Sequence, residues 1–171
     1  KMNIITDEEL KKKYDKLYNK FIKGNFSEVI KECNKVLKNR KHQLFFNLLS
    51  FAYQKSDKIE KSINVMKEAL ALNPNHPNFL KNMGTCYYML HKYSEAEKYF
   101  KKGLEIDNNH LHILNNLGNL KRETYKISES IQYYKKVLSI QNNAVPSLFN
   151  LVGIYRITNQ KENSKNIVEK Y

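Results

Sequence analysis

Proline and glycine are scarce in this chain, three and five of 171 residues, so its elements are joined by short connections and long irregular loops are excluded. No apolar run approaches the roughly 18 to 20 residues that a membrane-spanning helix needs, and no membrane contact is expected. Cysteine occurs twice, as Cys33 and Cys86, both on apolar positions of amphipathic stretches. That excludes an extracellular disulfide framework and leads us to expect a reduced, cytoplasmic setting. The opening residues Lys1-Met2-Asn3-Ile4-Ile5 lack a leader's apolar core, because Asp7, Glu8 and Glu9 follow at once. A Lys before the Met does not look like a native start, and we expect a piece of a longer protein from which a leader has been trimmed or that never carried one.

Hydrophobic residues make up 41% of the chain, enough for a substantial core. Acidic residues are few beside basic ones, 17 against 30, for a formal charge of +13. Such an excess fits nucleic acid, an anionic surface or an acidic protein partner. Its placement decides between them: residues 1–42 hold 12 Lys/Arg and 6 Asp/Glu, whereas residues 43–110 hold 9 and 7. Almost half of the excess thus sits in the first quarter of the chain, as Lys in an Asn-rich background that fits an AT-rich genome. We read it as drift on solvated faces rather than a nucleic-acid footprint, and the tyrosines as core or rim rather than stacking platforms for bases.

What the chain has in abundance is internal repetition. A small residue recurs every 34 positions as Ser62, Ala96, Ser130 and Ser164. Phe46, Leu80, Leu114 and Leu148 keep the same period, as do Leu49, Met83, Leu117 and Leu151, and as do Leu70, Leu104 and Leu138. Between these columns the apolar spacing is helical, so each period holds two short amphipathic helices packed through the small residue. Pro74 and Pro77, then Asp107-Asn108-Asn109 and Gln141-Asn142-Asn143, break the chain at equivalent places. Upstream, Tyr14, Leu17, Tyr18 and Phe21 form one stripe and Val29, Cys33, Val36 and Leu37 another, separated by a turn at Gly24-Asn25. This first unit is one residue short, so an atypical turn is expected.

The stretch from Pro77 to His110, with Leu80, Gly84, Tyr87, Ala96, Phe100 and Gly103, resembles a complete tetratricopeptide repeat, departing at Leu80 for the usual aromatic and at Asn108 for the closing proline. The resemblance implies an all-α, right-handed superhelical solenoid of about five helical hairpins, the first degenerate and the last incomplete. The repeats are placed at about 10–42, 43–76, 77–110, 111–144 and 145–171, within a single domain spanning 1–171. One hairpin cannot bury its own apolar faces, so each borrows its neighbour's surface. With no capping helix after Tyr171, the open end is expected to continue into further sequence or to associate with another chain, including a second copy.

No phosphate-binding glycine loop, nucleophile elbow or helical His-Glu-x-x-His is present, so we assign no catalytic, cofactor or metal-binding residue and expect no enzyme. His42, His76 and His110 also recur every 34 residues, in turns too far apart to share one ion, and are read as turn residues. In tetratricopeptide arrays the first helix of each repeat lines a concave surface. By that resemblance the face comprises Asn47, Lys55, Lys81, Asn82, Thr85, Asn115, Asn116, Asn119, Arg122 and Asn150. Asn82, Asn116 and Asn150 keep the 34-residue period, are interrupted by Leu48, and are expected to face solvent, where each amide offers both donors and an acceptor to an extended peptide backbone. The segment from Asn115 to Glu123 resembles the tetratricopeptide superhelix of the O-linked N-acetylglucosamine transferases, whose Asn ladder grips substrate chains. A chaperone carboxylate clamp is not expected, since Thr85, Pro146 and Asn150 stand where its Asn and basic residues belong. The expected function is a protein-interaction scaffold that binds an extended peptide or a partner protein in this groove, acidic partners among those the charge favours. The alternative is the substrate-recognition arm of a repeat-fused glycosyltransferase or sulfotransferase.

Overall fold

The computed structural model describes residues 6–171; residues 1–5, read above for a leader, lie outside the described residues. Ten α-helices and no strand occur among the described residues. They fall into two compact units, residues 1–74 and 75–171.

The first unit holds α1 (Asp7–Ile22), α2 (Phe26–Asn39), α3 (Gln43–Lys55) and α4 (Ile59–Leu72). A capping box starts α1: Thr6 Oγ1 accepts from the Glu9 amide at 3.3 Å while the Glu9 carboxylate accepts from the Thr6 amide at 2.8 Å. Of the predicted α1 stripe only Leu17 is buried, joined by Leu10; Tyr18 is exposed and stacks on Tyr14. The α2 stripe is buried throughout, at Val29, Cys33, Val36 and Leu37. Between α3 and α4 the small column does what its spacing predicts: Ser62 is fully buried, and its hydroxyl donates to the Ser50 carbonyl at 3.1 Å.

The second unit holds α5 (Pro77–Met89), α6 (Tyr93–Ile106), α7 (Leu111–Glu123), α8 (Ile127–Ile140), α9 (Val145–Ile157) and α10 (Lys161–Lys170). Pro77 occupies the first turn of α5, where its missing N–H costs nothing. His110 caps α7 by accepting from the Ile113 amide, and His42 caps α3 through Leu44, which accounts for two of the three periodic histidines. The third, His76, stands at the N-cap of α5 with its ring stacked on Phe79.

Each first helix ends alike. Asp57, His91, Tyr125 and Asn159 take the left-handed conformation, and the next amide reaches back five residues, as from Lys126 to the Lys121 carbonyl at 2.8 Å. In the first hairpin Gly24 does this at φ 81°, 33 rather than 34 residues before Asp57, which is the missing residue noted in the sequence.

Within a hairpin the two helices approach so closely that a side chain on one requires none on the other. Gly84 faces the Phe100 ring and Gly118 the Tyr134 ring, and a Cβ added at either glycine would lie 2.6 Å from a ring carbon. Ala96 and Ser130 are fully buried at the same crossings, Ser130 donating to the Gly118 carbonyl at 2.8 Å. Two apolar clusters of the second unit are Ala96, Phe100, Ile113, Leu117 and Leu120, and Tyr134, Leu138, Leu151, Ile154, Tyr155 and Ile167.

Candidate functional site

In the second unit the first helices of successive hairpins are laced together by side-chain hydrogen bonds, which fixes what their shared face presents. Asn116 on α7 donates to Thr85 Oγ1 on α5 at 3.2 Å, and His110 meets Asn78 Oδ1 at 3.2 Å. From α9, Ser147 donates to Asn115 Oδ1 at 2.9 Å and Asn150 to Asn119 Oδ1 at 3.3 Å. Arg122 Nη1 donates in turn to Asn150 Oδ1 at 3.2 Å. The order across the face is therefore α5, α7, α9.

Much of the polar capacity predicted for ligands is spent on this lacing. Asn119 Oδ1 already accepts from both Tyr134 Oη, at 2.7 Å, and Asn150. The Asn column is not an open ladder either. Asn82 is fully buried on α5, contrary to the expectation that all three amides face solvent. Asn116 and Asn150 are half-buried. Of the remaining predicted residues, Asn47 and Lys55 belong to the first unit, half-buried and exposed respectively on α3.

What stays available is specific. Among the described residues, Asn116 Oδ1, Asn115 Nδ2 and Asn119 Nδ2 make no hydrogen bond, so one acceptor and several donors line the α7 ridge. Lys81 is half-buried on α5, and burial pulls its ammonium down to about 8. Burial likewise lowers His112 and His110 from the ordinary histidine value, with the Lys81 charge adding to both.

Two cavities flank the ridge. One, of about 190 Å³, lies between α5 and α7, where Tyr88, Met89 and the buried Phe100 supply apolar wall and floor and Thr85, Asn116 and Asn119 a polar rim. The other, of about 310 Å³, lies between α7 and α9 and is lined by Arg122, Phe149, Asn150, Gly153, Ile154 and Ile157. Phe149 and Ile157 are 78% and 76% exposed, so α9 shows water an apolar surface where α7 shows amides.

Three family models, each described as a tetratricopeptide repeat, match residues 45–76, 77–110 and 110–145, together more than half of the chain. The chain belongs to the tetratricopeptide-repeat family. No curated protein matches it. Among solved structures it resembles PilF of Pseudomonas aeruginosa at 15% identity and a TM-score of 0.81, covering 91% of this chain and 72% of that one. It also resembles MamA at 17% identity and a TM-score of 0.72, covering 89% and 90%. The first tetratricopeptide domain of Spaghetti (RPAP3), solved bound to the HSP90 peptide SRMEEVD, matches at 19% identity and a TM-score of 0.62, covering 67% of this chain and 91% of that one. At such identities the likeness shows the fold alone: an all-α superhelical solenoid of tetratricopeptide hairpins. Among the described residues no helix is long and apolar enough to cross a membrane.

The residues missed by reading the sequence are Tyr88, Met89, Phe100, Phe149, Gly153 and Ile157. A signal for the α9 group was present. Phe149 stands 34 residues after Asn115 and 68 after Lys81, an apolar residue in an otherwise polar column. No such signal marked Phe100, whose ring is counted into the core by its periodicity yet also floors a cavity.

Proposed function

We propose that this tetratricopeptide protein is a noncatalytic interaction module that takes an extended segment of a partner protein across the α5–α7–α9 face of its second unit. The observation that carries the reading is the cavity between α5 and α7. It joins an apolar floor to amide groups with unused hydrogen-bonding capacity, the combination that seats one uncharged side chain while holding the backbone on either side of it. Tetratricopeptide repeats are protein-interaction modules, and the RPAP3 neighbour supports peptide capture as a mode available to the fold. The chemistry of capture differs here. Lys81 is followed four residues on by Thr85, and Pro146 and Asn150 occupy the positions of a basic pair, so a terminal carboxylate is not the recognised group.

The test is selection of 12-residue peptides from a random display library at physiological salt, where nonspecific attraction to a basic chain is screened. Met89 is exposed on the cavity wall, so Met89→Glu places a charge in the pocket without disturbing the core. Selected peptides should bind this variant at least about tenfold more weakly, the value of one buried apolar anchor. Equal binding to the two proteins would move the interface off this face.

A further inference from the structure

The two cavities are separated by a single helix, and that spacing constrains the ligand more than either cavity does alone. The α5–α7 and α7–α9 pairs are each bridged by direct side-chain hydrogen bonds, and the general spacing of neighbouring helices puts an offset of one helix on the order of 10 Å. A peptide crossing the ridge must present two side chains to the same face at that separation. In a β-strand, residues on one face are about 6.7 Å apart at i, i+2 and about 13 Å at i, i+4. In polyproline II, with three residues per turn and a rise of about 3.1 Å, residues i and i+3 share a face at about 9.3 Å. Only the last matches. That conformation also leaves every backbone amide and carbonyl unpaired, as a ridge carrying Asn116 Oδ1, Asn115 Nδ2 and Asn119 Nδ2 requires.

Charge narrows the class further. Arg122 is the one formally charged side chain lining either cavity, and it stands on the helix that divides them. Two of its five N–H donors are engaged, by Asn150 Oδ1 at 3.2 Å and by Glu123 Oε1 at 3.4 Å, and its side chain remains 36% exposed. Its other N–H donors make no hydrogen bond among the described residues.

We infer that the two cavities act as a pair, receiving a partner segment in polyproline II conformation with apolar side chains three residues apart and a carboxylate between them. This rests on the function proposed above and names its ligand class.

The test uses fluorescein-labelled synthetic peptides, read by anisotropy against the full chain. Two leucines are set at i, i+2, at i, i+3 and at i, i+4 in a serine background, with a single-leucine control. A further i, i+3 peptide carries Asp between the leucines, and another adds Pro after that Asp to favour polyproline II. The i, i+3 peptide should bind about tenfold tighter than the other spacings, which seat only one leucine. Asp should tighten it further, a gain absent in Arg122→Gln, and Pro should tighten it again. A preference for i, i+2 or i, i+4, no preference, or single-leucine binding of equal strength would overturn the paired-pocket inference. If the library selection above still yields Met89-sensitive peptides, that result leaves the interaction face standing; if it yields none, the face itself fails and the inference with it.

Discussion

Replacing Gly118 by alanine tests the close helix crossing that joins α7 to α8, the same arrangement that Gly84 gives α5 and α6. The new Cβ would lie 2.6 Å from Tyr134 Cε1 and 2.9 Å from Cδ1, against an ordinary carbon contact of about 3.5–4.0 Å. The ring must therefore retreat by about 1 Å. It cannot do so freely, being fully buried and held by the bond from its hydroxyl to Asn119. Overpacking of this kind costs about 1–3 kcal/mol, whereas exchanging glycine for alanine inside a helix returns about 1 kcal/mol. Gly153 supplies the control, since a Cβ there meets nothing within 4 Å. Gly153→Ala should stabilise by about 0.5–1 kcal/mol. Both variants share the propensity gain, so the difference between them, about 1–3 kcal/mol, isolates the clash. Urea midpoints measured by far-UV circular dichroism should move in opposite directions or, at the least favourable end, leave Gly118→Ala unchanged while Gly153→Ala rises. Adding Tyr134→Leu should relieve the strain and give favourable coupling with Gly118→Ala in a double-mutant cycle. Equal upward shifts for the two alanine variants would refute the crossing.

Lys121, 2% exposed, lies between Glu97 at 2.9 Å and Glu129 at 2.7 Å. Burial opposes its charge, but the two carboxylate hydrogen bonds outweigh it and raise the lysine, while Glu97, despite its own partial burial, and Glu129 are held below the ordinary carboxylate value. The carboxylate contribution is fully present above the unfolded value of 4.5 and is lost as pH falls through the lower folded values. The lysine contribution holds below 10.5 and is lost only at higher pH. Lys121→Met should therefore melt earlier at pH 7 and show a shallower acid loss than the parent in thermal scans across pH 2 to 7; parallel profiles would deny the triad its role. Tyr125 holds φ 59° with its side chain 90% exposed, so Tyr125→Gly should relieve backbone strain and raise stability by about 0.5–1 kcal/mol in the same urea assay. Burial pushes the Cys33 thiol up to about 12, and iodoacetamide at pH 8 followed by mass spectrometry should leave it unmodified in the native protein and alkylate it in urea.

The repeat architecture was legible in the residue order because its determinants are local and periodic. Of the small-residue column spaced by 34, Ser62, Ala96 and Ser130 are fully buried at their crossings, and Ser164 in α10 is half-buried. The proline-, asparagine- and aspartate-rich breaks end helices by their own backbone chemistry, as where the Asn109 amide donates to the Asp107 carboxylate at 3.2 Å. What the order of residues left open is the use to which each polar group is put. Asn82, Asn116 and Asn150 are equivalent in sequence, yet one is fully buried and the other two spend amide groups on neighbouring helices 31 residues away. Lys121, which nothing in the residue order sets apart from the other lysines, is enclosed by carboxylates from two other helices. In each case the deciding contact joins residues distant in sequence, at a distance and angle set by helix packing. The cavities beside α7 follow from the same cause, for a pocket is the space left between packed elements, and no periodicity within one element records it.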